Sequence, residues 1–316
     1  MAHILINYGV PREGFDKVLA GHTLHIPAPG TLFSEAELDA ILPQAEAVVA
    51  CTAFPAGMIE KAGKLRLICA YGAGYDSIDV VAATKAGVMV CNIPDTVTDA
   101  TAEVAISHML GLARRMPFFD KAVRQEGSQK FFRMGENMGT TLKGTTLGIV
   151  GMGRIGGKVA DFGRLMGMKV LYHSRNPKPE RDALGDIRVS LEELMAQADF
   201  VSLHCPSTPE TRGLINREMI ALMKPTAFLI NTARGPVIDE AALLDALNRR
   251  SIAGAGLDVF PDEPNVNPAL WPLDNVILTP HIGSNTAGTR YDMAAEASRQ
   301  ILRVFSGQKP ENLING

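Results

Sequence analysis

Cysteine is scarce in this 316-residue chain, and the four present, Cys51, Cys69, Cys91 and Cys205, are widely spaced with no CxxC pair. That spacing indicates neither a disulfide framework nor a zinc site. The expectation is four reduced, mostly buried thiols in a cytoplasmic protein. No apolar run approaches the roughly 20 residues needed to span a bilayer. The N-terminus, MAHILINYGV, lacks a basic n-region and reads as a strand, not a signal peptide. Nor is charge of one sign in excess: the formal net charge is −3, which gives no electrostatic reason for a nucleic acid or an anionic membrane as partner. What is there, 46% hydrophobic and 21% charged residues, is the composition of a soluble globular protein long enough for two domains.

Short β-type runs alternate with helical patterns from end to end, which is the signature of α/β architecture. Residues 4–7, 47–50, 67–70 and 88–90 read as strands. A long helical stretch follows from Ala100 to about Arg124, then strands at 146–150, 169–172, 200–203, 227–230, 254–258 and 276–278. Ser190 with Glu193 makes a capping box for the helix before the strand at 200. Asn285 begins a final helical run to about Phe305. The reading is two α/β units with parallel sheets: 1–99 plus 285–316, with the terminal helix packed back on the first unit, and 100–284.

The strand TLGIV runs directly into GMGRIG at 151–156, and a helix follows with Ile155, Val159, Phe162 and Met166 on one face. This strand, turn and helix setting suits a dinucleotide. Gly151 allows the tight turn, Gly153 admits a pyrophosphate to the backbone, and Gly156 lets the helix pack on the strand. Free N–H groups at the helix start then face the anion. An acidic residue about 20 positions on would hold the ribose 2′-OH of NAD. Here Ser174 stands in that place and Arg175 follows. A hydroxyl and a guanidinium suit a 2′-phosphate, so NADP is the preferred cofactor and NAD the alternative. A second glycine cluster, YGAGYD at 71–76, follows another strand, but Ser77 occupies the third glycine position. It is either a loop whose N–H groups at Gly72, Ala73 and Gly74 meet a small carboxylate or a simple strand-to-helix turn.

Three residues lie just past apolar strands of the second unit: Arg234 in NTARGPVID, Glu263 in LDVFPDEP and His281 in LTPHIG. Open α/β sheets place ligands at that end of the strands. Reduction of a 2-keto acid needs such a set. An arginine fork holds the carboxylate and polarises the carbonyl, a histidine protonates the new alkoxide, and a carboxylate keeps that histidine protonated and oriented. The other histidines are less well placed: His3, His22 and His25 lie near the N-terminus, His108 is mid-helix, and His173 and His204 follow strands.

With these motifs in order (YGAGYDSID, TDATAEVAISHMLGLAR, GMGRIG, HCPST, NTARGPVID, GLDVFPDEP and TPHIG) the chain resembles the D-2-hydroxyacid dehydrogenases over essentially its full length. The resemblance is closest to NADP-preferring glyoxylate/hydroxypyruvate or 2-ketogluconate reductases. It implies two Rossmann-like lobes around a cleft, a flavodoxin-like substrate domain with a dinucleotide-binding domain, and a homodimer. It makes His281 the acid/base, Glu263 its partner and Arg234 the group that binds substrate and polarises the carbonyl. It sets Gly72, Ala73 and Gly74 against the substrate carboxylate. Thr101, Arg154, Ile155, Ser174, Arg175, Cys205, Pro206, Thr211, Thr232, Ala233, Asp258 and Gly283 would line the cofactor. CTAFP at 51–55 and Tyr71 would shape the pocket.

Formate dehydrogenases carry glutamine where this chain has Glu263, and phosphoglycerate dehydrogenases commonly append a regulatory domain. The segment 115–144, with Phe118, Phe119, Phe131 and Phe132, matches the family's dimer contact, although those rings could equally pack within their own subunit. The rival readings are an NAD-dependent D-lactate or phosphoglycerate-type dehydrogenase and, from another class, an NADH-sensing protein similar to transcriptional corepressors.

Overall fold

The structure is a computed structural model and describes residues 1–126 and 134–316. It divides into two compact units, Met1–Val97 with Ser284–Gly316, and Thr98–Gly283.

The first unit holds a five-stranded parallel sheet. Its strands are β1 (His3–Ile6), β2 (Thr23–His25), β3 (Ala45–Ala50), β4 (Leu67–Ala70) and β5 (Met89–Cys91), in the order β2-β1-β3-β4-β5. This is the flavodoxin-like order. Its inner strands are buried on both faces, as helix-covered parallel sheets require: all four residues of β4 are buried. Alternate residues feed two cores, Ile4, Ile6, Val49 and Cys69 on one face and Leu5, Val48, Ile68 and Val90 on the other. The helix Ala287–Phe305 starts at Thr286, whose hydroxyl accepts from the Thr289 N–H. Met293, Ala294, Ala297, Ile301 and Val304 from that helix complete the first core.

The second unit holds seven parallel strands. They are β6 (Thr146–Val150), β7 (Lys169–His173), β8 (Ile187–Arg188), β9 (Phe200–Leu203), β10 (Phe228–Asn231), β11 (Gly254–Leu257) and β12 (Val276–Leu278), in the order β12-β11-β10-β9-β6-β7-β8. The chain leaves β6 toward β7 on one side and later returns to lay β9 on the other. The topological switch point, where doubly wound sheets open a crevice for ligands, therefore lies between β6 and β9.

Two features depart from the sequence reading. The helical stretch from Ala100 to Arg124 is two helices, Thr98–Ala113 and Met116–Glu126. Pro117 has no N–H to donate to the Ala113 carbonyl; the Thr140 N–H takes that acceptor instead at 2.8 Å. Arg115 at the break has a φ of 52°. The edge strands β2 and β8 were not anticipated; they are the short segments TLH and IR, and neither contains the apolar run that marks the other short strands. Of the cysteines, Cys69 and Cys91 are buried and Cys51 and Cys205 partly so. Phe118 and Phe119 stack edge to face with centroids 5.2 Å apart, and Phe131 and Phe132 lie outside the described residues.

Candidate active site

At the switch point the three glycines of GMGRIG do separate things. Gly151 has a φ of 100°, and a Cβ there would lie 2.6 Å from the Cys205 nitrogen, so the turn packs directly on the segment leaving β9. A Cβ at Gly156 would lie 2.3 Å from the Gly151 oxygen, which is how closely the helix Arg154–Leu165 sits on the turn. Around Gly153 there is open space. The first-turn N–H groups of that helix have no intrahelical acceptors. A bare, open backbone at a helix start is a cradle for an anion. Ile155 packs into the core beneath, and Arg154 is exposed.

The next turn shows how Ser174 and Arg175 are held. The Ser174 hydroxyl donates to the Asn176 carbonyl at 2.6 Å, within its own turn. Arg188, on β8, donates to the carbonyls of both Ser174 and Arg175 at 3.0 Å and braces the turn from behind. Arg175 itself is exposed. Behind this turn the buried Asp186 carboxylate joins Arg164 at 2.8 Å and Arg181 at 2.7 Å. The sequence reading missed both braces, because an arginine or aspartate outside a motif gives no signal of what it will meet.

Past β9, the Thr211 hydroxyl donates to the Pro206 carbonyl at 2.5 Å and accepts from the Thr208 N–H at 2.8 Å, so it shapes the loop that begins at Cys205. His204 Nε2 lies 2.9 Å from the Ser202 hydroxyl, and burial pushes its imidazole down to about 3. It is a neutral structural histidine.

Three further turns present the trio. Beyond β10, the buried Asn231 accepts from the Ala233 N–H at 3.0 Å and donates to the Arg234 carbonyl at 2.9 Å. The Arg234 side chain donates to the Ala233 carbonyl at 2.8 Å. Thr232 is buried, and its hydroxyl has no protein partner among the described residues. An orphaned buried polar atom of this kind, past β10 and one strand removed from the glycine turn past β6 at the same end of the sheet, fits an extended ligand such as a dinucleotide. Beyond β11, Glu263 Oε1 accepts from the Phe260 N–H at 2.9 Å, and Oε2 lies 2.7 Å from His281 Nδ1. Burial alone would raise the Glu263 carboxyl. The hydrogen bond and charge of His281, the Phe260 N–H and the charge of Arg234 together hold it below its ordinary value. Beyond β12, His281 occupies a turn with a φ of 54°, and its Nε2 has no protein partner among the described residues.

Asp258 ties that last turn down. Its Oδ1 accepts from the Thr279 hydroxyl at 2.6 Å and the Ile282 N–H at 2.8 Å, and Oδ2 accepts from the Gly283 N–H at 2.9 Å. Gly283 also sits close to Thr101, 3.3 Å from where its Cβ would be. Thr101, Asp258 and Gly283 are thus gathered at one point.

In the first unit, the Gly72 N–H is already spent on the Ala70 carbonyl at 2.9 Å. Among the described residues only the Ala73 and Gly74 N–H groups of that trio donate to no protein acceptor. Asn7, after β1, accepts from the N–H groups of Cys51 at 2.7 Å and Thr52 at 3.2 Å, fixing the loop at that sheet's own switch point.

Doubly wound parallel sheets, a glycine turn at the switch point and an imidazole on a carboxylate near an arginine define a nucleotide-dependent oxidoreductase. Comparison with known proteins agrees. Residues 106–283 match the family described as D-isomer specific 2-hydroxyacid dehydrogenase, NAD binding domain. The chain is 46% identical over 263 residues to a glyoxylate reductase of Thermococcus litoralis, covering 82% of this chain and 79% of the relative. A glyoxylate reductase structure from Paecilomyes thermophila superimposes with a TM-score of 0.88 at 32% identity, covering 99% and 98% of the two chains. An NADPH-dependent glyoxylate/hydroxypyruvate reductase of Sinorhizobium meliloti, solved with NADP and malonate, gives 0.88 at 28% identity over 99% and 96%. The chain belongs to the D-isomer specific 2-hydroxyacid dehydrogenases. It is an oxidoreductase.

Proposed function

We propose that this enzyme reduces a small 2-keto acid of the glyoxylate/hydroxypyruvate class to the D-2-hydroxy acid, with NADP preferred over NAD. The observation that carries the reading is the 2.7 Å contact between His281 Nδ1 and Glu263, which commits one ring nitrogen to the carboxylate and leaves Nε2 to deliver a proton. A bound nicotinamide dinucleotide would supply the hydride. Gly151, Gly153, Arg154, Ile155 and Gly156 would hold its pyrophosphate, and Ser174 and Arg175 its 2′-phosphate. Thr101, Cys205, Pro206, Thr211, Thr232, Ala233, Asp258 and Gly283 would line the rest.

Arg234 binds the keto acid and polarises its carbonyl. His281 Nε2 protonates the carbonyl oxygen as it gains charge, and Glu263 stabilises the imidazolium and fixes the ring. In the first unit, Ala73 and Gly74 offer N–H groups to the carboxylate, while Gly72 gives the loop its path. The support for NADP is the absence of a carboxylate after β7 and the bracing of the Ser174-Arg175 turn by Arg188.

We also propose a cytoplasmic homodimer. Four free thiols suit a reducing compartment. Met116 and Val123 are exposed on the helix Met116–Glu126, and the exposed Met138 lines a cavity of about 470 Å³ together with Phe118 and Phe228, apolar surface of the kind that copies cover. Among the described residues no helix is long and apolar enough to cross a membrane.

Steady-state kinetics with glyoxylate, hydroxypyruvate, pyruvate, 2-ketogluconate and aromatic 2-keto acids, each with NADPH and NADH, test the substrate and cofactor together. The highest kcat/KM should fall on glyoxylate or hydroxypyruvate with NADPH; preference for pyruvate with NADH would favour a D-lactate type instead. Sedimentation tests the dimer.

A further inference from the structure

His108 carries no motif and lies within the helix Thr98–Ala113, yet it is only 3% exposed and its ring meets the catalytic turn. Gly256, on β11, makes room for it: a Cβ there would come within 2.7 Å of His108 Cβ and 2.9 Å of its Nδ1. Its Nε2 lies 3.1 Å from the Thr279 hydroxyl oxygen, which in turn lies 2.6 Å from Asp258 Oδ1.

The direction of this chain follows from proton counting. A threonine hydroxyl has one proton to give. At 2.6 Å from a carboxylate oxygen, that proton belongs in the short charge-assisted bond to Asp258. The Thr279 oxygen must therefore accept from His108, which fixes the Nε2–H tautomer. The other nitrogen, Nδ1, is enclosed beside the Gly256 backbone but makes no hydrogen bond of good geometry among the described residues, so the Nε2–H tautomer is the one with a well-formed bond. Burial lowers the His108 imidazole, against the opposing charge of Asp258 and the Gly256 backbone, so the ring is a neutral donor at neutral pH. The groups facing it are Asp258 and Gly256 from β11 and its following turn, and Thr279 from the turn after β12.

The far end of the chain is the turn that carries His281. Asp258 holds three of its N–H groups, with its carboxylate on Ile282 and Gly283 and its carbonyl on His281 at 2.8 Å. That turn keeps His281 in a left-handed conformation that non-glycine residues disfavour, so its shape depends on these bonds. We propose that His108 is a positioning residue for the reaction: by donating to Thr279 it locks the Thr279–Asp258 bond and hence the turn that presents the His281 imidazole. This rests on His281 being the proton donor.

The test compares His108→Leu, His108→Gln, Thr279→Val, the His108→Leu/Thr279→Val double variant and His281→Ala, each as purified full-length protein with saturating NADPH. A misplaced catalytic group costs up to about 10²-fold, and a loosened brace should cost less. In His108→Leu, kcat should fall about tenfold with KM for the keto acid changed less than about twofold, and glutamine, which restores an N–H donor, should recover most of the loss. Thr279→Val should show the same fall, and the double variant no more than either single one, because both break one chain; the single Thr279→Val variant carries the test if His108→Leu fails to fold. A kcat within twofold of wild type in both folded single variants, glutamine no better than leucine, or multiplying losses would overturn the proposal. Normal turnover in His281→Ala would instead defeat the reading beneath it, whereas an inactive His281→Ala beside fully active His108→Leu defeats this inference alone.

Discussion

Gly235 lies so close to Phe260 that a Cβ on it would sit 1.9 Å from the Phe260 carbonyl carbon and 2.2 Å from its oxygen. Glycine is required here by contact and not by a special φ. The contact presses the segment after Arg234 onto the segment where the Phe260 N–H holds Glu263, so two members of the trio are kept together by a missing methyl group. Gly235→Ala should cost about 3 kcal/mol of stability, the upper end for overpacking, since backbone must move. Thermal unfolding with kinetics on the folded fraction checks this, and a variant as stable and active as wild type would show the contact to be dispensable.

Removing the His281 imidazole should lower kcat by roughly 10²–10⁴, the usual worth of a positioned acid. His281→Ala with near-normal turnover would refute the assignment. Arg234→Ala should raise KM for the keto acid and also cut kcat, because one fork serves binding and polarisation.

The pH dependence follows from Glu263. Its carboxyl is held below its ordinary value of 4.5, so the pair with His281 is intact at neutral pH and is lost only as the pH falls through that lowered value. Wild-type kcat/KM for reduction should show no loss from this carboxyl between about pH 7 and 5. In Glu263→Gln no carboxylate titrates at this position, so the acid-side loss that wild type shows as the pH falls through the lowered Glu263 value should be absent, and kcat for reduction should already be about tenfold lower at neutral pH. Superimposable profiles for the two proteins would contradict the coupling.

Cofactor choice should turn on the residue after β7. Ser174→Asp places a carboxylate where a 2′-phosphate would lie and a 2′-OH could bond. The ratio of kcat/KM for NADPH over NADH should fall by about 10²-fold, from repulsion on one side and a new hydrogen bond on the other. An unchanged ratio would mean that this turn does not read the ribose.

The thiols should be quiet in the folded state. Burial pushes Cys51 up to about 12 and Cys205 up to about 11. Cys69 lies well above its ordinary value through its bond to Cys91 and its burial. With almost no thiolate at neutral pH, the native protein should react slowly with an aromatic disulfide reagent, and all four thiols quickly in denaturant. A fast-reacting native thiol at Cys51 or Cys205 would overturn burial as what keeps these thiols protonated.

The amino-acid order alone determined the alternation of strands and helices, the glycine turn and which side chains are candidates for the chemistry. Those signals are local: an apolar run of four residues, a GxGxxG turn between strand and helix, and a Ser190–Glu193 cap each need only near neighbours. The long-range partners were decided by the fold. Arg188 bracing Ser174, Asp258 gathering Thr279, Ile282 and Gly283, and His108 reaching Thr279 across 171 positions have no spacing rule, because parallel strands bring distant residues to one sheet end through crossovers of variable length. The break before Pro117 was legible in principle. Only the structure shows why it holds there, since the freed Ala113 carbonyl finds its new donor in Thr140.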